Sequence, residues 1–174
     1  ETHAFTRLEA YNQWSSGDYR GVKRDLYEGG HRVPFIVRWP SQIAPQTVCD
    51  EVVSQVDFAA TFANIIDYSL SNQDAIDSYN LLPILKQEAY PRPLRRATVQ
   101  NTSPNKFALR QGDWVLIDAP SGAAKKETQH YLDYFGLTPF GKEEPGLLFN
   151  LKSDPRQAQN LYAQFPSKVA DMRK

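Results

Sequence analysis

The stretch Gly21–Pro40, GVKRDLYEGGHRVPFIVRWP, constrains the fold more than any other part of this chain. Its last third, Val33–Trp39, is rich in β-branched and aromatic residues and is stopped by Pro40, which predicts a buried strand. A strand needs no charged residues gathered just before it. Yet Lys23, Glu28, His31 and Arg32 surround Gly29-Gly30, a pair that permits backbone angles closed to other residues. The stretch therefore reads as a shaped, charged loop that delivers the chain into a strand.

On either side of it the patterns are more ordinary. A short helix is expected over Ala4–Tyr11, running into a Ser-Ser-Gly-Asp loop. Asp57 suits a helix N-cap, and Phe58, Phe62, Ile65 and Ile66 recur at i, i+4, i+7 and i+8. That spacing predicts an amphipathic helix over Phe58–Asp67 with a core-facing stripe. SYNLLPIL reads as a short turn that Pro83 opens or interrupts. Tyr90–Arg96, YPRPLRR, suits a connecting segment and divides the chain into 1–90 and 91–174. Beyond it come short strands at Ala97–Val99, Phe107–Arg110, Trp114–Ile117 and Leu147–Leu151, the second and third forming a hairpin about Gln111-Gly112-Asp113. A long loop reaches to about Pro145, and a final helix starts at Pro166 with Val169 and Met172 on one side.

The totals exclude several classes. Twenty basic residues balance 20 acidic ones, which argues against broad electrostatic binding of nucleic acid or of an anionic membrane. No run of roughly 18 apolar residues is present to span a bilayer. Aromatics make up 12% of the 174 residues, a share that fits carbohydrate or aryl recognition as well as aromatic core packing. Cys49, the only cysteine, forms no internal disulfide and reads as a small buried hydrophobe. His3, His31 and His130 lack metal-ligand spacing, so no metal site is expected, and neither a P-loop nor a Gly-x-Ser-x-Gly elbow occurs. The chain opens on Glu1 without a signal peptide, so it is expected to begin inside something larger or after processing.

The chemistry therefore centres on the opening stretch. A lysine beside a glycine bend can direct its ammonium at sulfate or phosphate. Glu28 can accept from amides of the turn, and Arg32 can pair with Glu28 or with a helix terminus. A solvated charged loop is the alternative. The residue order is Gly-x-Lys, four residues, Glu-Gly-Gly, x-Arg-x-Pro, then a strand ending Trp-Pro. It strongly resembles the second signature region of the sulfatases. SQVDFAATFANIIDY, SYNLLPIL, FALRQGDWVLI and LLFNLKSDPRQAQNLY resemble that family's later segments in the same order.

The resemblance implies an α/β fold: the end of a sulfatase-type α/β domain over 1–90, then a small C-terminal antiparallel sheet with a packed helix over 91–174. It implies hydrolysis of a sulfate ester, on an aryl group or a sugar. Lys23 matches the lysine that contacts the sulfate oxygens. Glu28, Gly29 and Gly30 match loop-shaping residues, and Arg32 reads as structural. His31 could line the pocket or simply pack. Gln100 stands where related sulfatases often carry a His; it can donate a hydrogen bond but cannot shuttle a proton near neutral pH. Gln100, Asn101 and Arg110 are candidate substrate contacts, with ordinary hairpin polar groups as the alternative. Calcium and a formylglycine nucleophile are implied for the whole enzyme, with their residues upstream of Glu1, since no Cys-x-Pro-x-Arg motif occurs here. The chain alone would then lack a complete active site. Its expected partners are the missing N-terminal half or a second copy, and the expected location is periplasmic, secreted or lysosomal. A related phosphate or phosphonate ester hydrolase and a non-catalytic binding or assembly module remain open. Asn101-Thr102-Ser103 is an N-glycosylation sequon, meaningful only in a secreted eukaryotic protein.

Overall fold

The structure, a computed structural model, describes residues 2–102 and 105–174; Ser103 of the sequon lies outside the described residues. Two compact units form, one from Glu1–Val33 with Val99–Lys174, the other from Pro34–Thr98. This division differs from the 90/91 boundary read from the prolines. Leu26 and Tyr27 pack into the same core as the strands, so the N-terminal segment joins the sheet.

In the first unit the sheet runs β1 (Thr98–Thr102), β2 (Lys106–Gln111), β3 (Trp114–Ile117), β4 (Leu147–Asn150) in that order. The β2/β3 and β3/β4 pairs are antiparallel, and Gln111 pairs with Trp114, leaving Gly112-Asp113 as the turn. Val115, Leu116 and Ile117 are all buried because both faces of the sheet are covered. On one face Val115, Ile117, Leu147 and Phe149 meet Leu26, Tyr27 and Ala108. On the other, Leu116 and Leu148 meet Val169 and Met172 of helix α6 (Pro166–Met172). The antiparallel sheet with its packed helix is therefore present, and alternation at period two decides which residue faces which layer.

A third cluster joins Leu8 of α1 (Thr2–Tyr11) to Tyr131, Leu132 and Phe135 of α5 (Gln129–Phe135). Helix α5 interrupts the segment read as a long loop. Thr128 caps it by accepting from the Tyr131 amide, and Gly136 ends it at φ +63°.

The second unit departs further from the sequence reading. Helix α3 (Phe58–Ile65) forms, but Phe62 is 59% exposed and Ile66 72% exposed, while Thr61 and Ala63 are the buried residues. The side that packs within the unit is the Thr61 side: its hydroxyl donates to the Asp57 carbonyl (2.6 Å) and accepts from the Leu81 amide (2.9 Å). Leu81 leads into α4 (Leu82–Leu85). The Asp57 side chain does not cap α3. It accepts instead from the Ser54 and Tyr79 amides and from the Arg95 guanidinium, fully buried. Val33–Trp39 forms no strand among the described residues, since a strand needs a neighbour for its amides and carbonyls. Cys49 is exposed rather than buried.

These environments separate two substitutions. Leu148→Ala, in a fully buried position between sheet and helix, should lower unfolding free energy by about 2–5 kcal/mol in urea titrations. Phe62→Ser on the exposed side of α3 should change it by no more than about 0.5 kcal/mol.

Candidate anion-binding site

The charged loop begins with a glycine the geometry requires. Gly21 sits at φ +95°, and a Cβ there would lie 2.9 Å from the Cβ of Tyr27. The Val22 amide then donates to Asp25 Oδ2 (2.7 Å) and the Asp25 amide to the Val22 carbonyl (2.8 Å). Lys23 lies within this closed turn and is exposed. Gly29 and Gly30 fall in a single helical turn, α2 (Glu28–His31). Neither has a positive φ, contrary to the expectation of unusual backbone angles. Space is the requirement instead: a Cβ would lie 2.4 Å from the Gly21 carbonyl oxygen at Gly29, and 2.1 Å from that of Asp25 at Gly30.

Glu28 is buried at 2% exposure, and its Oε2 accepts from Arg32 (3.3 Å) and from Arg110 of β2 (3.2 Å). His31 Nε2 lies 4.0 Å from Oε1. Glu28 thus gathers side chains instead of turn amides, and its own amide donates to Gln157 Oε1 (2.7 Å). Arg32 bridges Glu28 and the face of Tyr19, its guanidinium 4.5 Å from the ring centre. Two guanidiniums share one carboxylate, so the cluster carries net positive charge. Burial lowers the His31 pKa below its ordinary value; the charge of Glu28 opposes that shift and Arg110 adds to it.

Of the predicted site residues, the structure brings His31 and Arg110 together through Glu28. Gln100 and Asn101 stand on β1, Gln100 partly buried with no partner for its Oε1 among the described residues, and Asn101 exposed. No hydrogen bond or ion pair joins Lys23 to any of them among the described residues. Nor do three His, Cys, Asp or Glu side chains meet there to hold a metal ion.

Sequence reasoning missed the clamp behind the loop. Arg20 is fully buried and pairs with Glu127 through Nε–Oε1 (2.8 Å) and Nη2–Oε2 (2.7 Å). It also donates to the carbonyls of Gln157 (3.1 Å) and Thr138 (3.2 Å), between the rings of Tyr27 and Phe140. Burial works against its charge, but Glu127 together with Tyr27 and Tyr131 outweighs this and holds the guanidinium above its ordinary pKa. The Tyr131 hydroxyl accepts from the Gly21 amide (2.9 Å), and Asp25 Oδ1 accepts from the Ala124 amide (2.7 Å). No local pattern announces these partners.

Three outcomes are expected. Arg20→Ala strands a buried carboxylate and should cost about 3–5 kcal/mol by chemical denaturation. Gly30→Ala should perturb the loop amides in NMR spectra far more than Gly141→Ala, since an added Cβ at Gly141 meets only the Glu143 side chain, at 3.3 Å and beyond. Because the folded pKa of His31 is depressed, the unfolded chain binds its proton first. The contribution of His31 is therefore complete above about pH 6.5 and is lost as pH falls below it. His31→Gln should flatten that decline in thermal melts run across pH.

Comparison with known proteins follows the same segments. Residues 18–99 match the family model described as N-sulphoglucosamine sulphohydrolase, C-terminal. The chain is 31% identical over 172 residues to N-acetylgalactosamine-6-O-sulfatase of Bacteroides thetaiotaomicron, covering 99% of this chain and 31% of that protein. It is 30% identical over 153 residues to human arylsulfatase A, covering 84% and 29% respectively. A structure solved in work on glycosaminoglycan metabolism by Bacteroides thetaiotaomicron matches with a TM-score of 0.71 at 30% identity, over 98% of this chain and 33% of that one. The chain spans about a third of the length of these relatives.

Proposed function

Because this chain belongs to the sulfatase family and matches the C-terminal portion of its members, we propose that it serves an enzyme hydrolysing sulfate esters carried on a sugar or an aryl group. The observation that carries the reading is the Lys23 turn, an exposed ammonium on a backbone closed by Asp25 and clamped from behind by Tyr131 and Gln157. In this reading Lys23 contacts the sulfate oxygens, where a fixed cation stabilises the charge that develops in the transition state. Arg110 and neutral His31 offer further contacts, and the amides of Gln100 and Asn101 hydrogen-bond sugar hydroxyls. Calcium and formylglycine belong to the proposal for the whole enzyme. The described residues hold no donor set for such a metal, so the part of this chain is to bind and orient the sulfate ester through its own side chains. A periplasmic, secreted or lysosomal location goes with this reading.

A second reading, a binding or assembly module, is favoured by one observation. In the second unit Ile36, Val56, Phe62 and Ile66 are each at least half exposed, large apolar side chains of the kind a partner covers. The two readings part on Lys23. In the enzyme purified from its native source, Lys23→Ala should lower kcat/KM by about 100-fold on a 6-O-sulfated N-acetylgalactosamine substrate, the class named for the Bacteroides relative. An unchanged rate, or no sulfatase activity in the native protein, overturns the catalytic reading. The 174-residue chain should self-associate in sedimentation velocity, and Phe62→Ser with Ile66→Ser should reduce that association. A monomer at all concentrations counts against these side chains as an interface.

A further inference from the structure

A cleft of about 480 Å³ opens in the first unit between the 121–127 loop and the segment after α5. We propose that it is a binding subsite for a sulfated sugar unit, a choice of ligand that rests on the function proposed above. Its size falls in the range of small-molecule sites and is large for a lone inorganic anion.

One wall is apolar and preformed. Leu132, Pro139 and Phe140 line it, and Phe140 is held by the Arg20 guanidinium 4.5 Å from its ring centre and by Phe149 at 5.7 Å. Such a wall accepts the C–H face of a sugar ring. The opposite side is cationic. Glu127 is the one carboxylate among the described lining residues, and both its oxygens are occupied by Arg20. Lys126 is exposed at the same cleft, so an entering ligand meets an ammonium group and a neutralised acid. Gln129 donates through Nε2 to Asp133 (2.7 Å), which leaves its carbonyl oxygen to accept from a hydroxyl. An apolar ring face, a hydroxyl and an anionic substituent together describe a sulfated sugar.

The cleft wall is also tied to the Lys23 loop. The Ala124 amide donates to Asp25 (2.7 Å) and the Leu26 amide to the Gly122 carbonyl (2.7 Å). A sugar in the cleft therefore bears on the same hydrogen-bonded segment that carries Lys23.

The test is binding of a 6-O-sulfated N-acetylgalactosamine disaccharide, its unsulfated counterpart and inorganic sulfate, by calorimetry and amide NMR at fixed ionic strength. The sulfated disaccharide should bind and shift the amides of 124–129 and 140. Lys126→Ala, an exposed change that leaves the melting temperature unaltered, should weaken binding about tenfold. Lys23→Ala should leave it intact. Shifts confined to the Lys23 turn and abolished by Lys23→Ala overturn the cleft while sparing the proposed function. Absence of binding, or equal shifts with inorganic sulfate alone, also overturns the cleft. Cleft binding by a native protein with no sulfatase activity supports the subsite and removes the enzyme reading.

Discussion

The first unit depends on one buried guanidinium. Arg20 reaches across 107 residues to Glu127, 118 to Thr138 and 137 to Gln157, making four hydrogen bonds with no access to solvent. Taking a charge out of water is costly, and the cost is offset only when every donor finds an acceptor in good geometry. Here the fork of Arg20 meets a bidentate carboxylate and two carbonyls while aromatic rings close above and below it. An alternative packing of the N-terminal segment would leave both charges buried and uncompensated, or return them to water at the loss of these contacts.

That arrangement is what gives the charged loop its form. The Arg20 carbonyl accepts from the Gly29 amide (2.7 Å), and the Gln157 backbone that binds Arg20 also presents its side chain to the Glu28 amide. Gly29 and Gly30 then press against the carbonyls of residues 19–21 and 25 at distances no side chain would permit. Lys23 is thereby displayed on a rigid backbone, and Glu28 is set where Arg110 of the sheet can reach it. The hydrogen bonds that close the loop fix its backbone without any contribution from the exposed Lys23 side chain.

The second unit follows a different logic. Its fixed point is the carboxylate of Asp57, which joins the start of α3 to Tyr79 and Arg95 through polar contacts. Few apolar side chains are buried around it, and the aromatic and β-branched residues of 33–39, with Phe58, Phe62 and Ile65 of α3, remain partly or largely exposed. Val33–Trp39, rich in β-branched and aromatic residues, is thus without strand partners among the described residues.

Local pattern determined a good deal. The apolar, β-prone runs at 114–117 and 147–150, the turn at Gly112-Asp113 and the apolar side of α6 are local features, so the small sheet and its helix were legible from the sequence. So was the motif order from Gly21 to Pro40, with Lys23 and Arg32 in it. Tertiary structure alone decided why Gly29 and Gly30 are glycines, that Glu28 collects Arg110 and His31, that α5 forms within a segment rich in turn residues, and that Val33–Trp39 pairs with nothing among the described residues. Each of these depends on which distant backbone or side chain comes within a few ångströms. Contacts between residues about 80 to 140 positions apart leave no periodicity in the sequence that joins them.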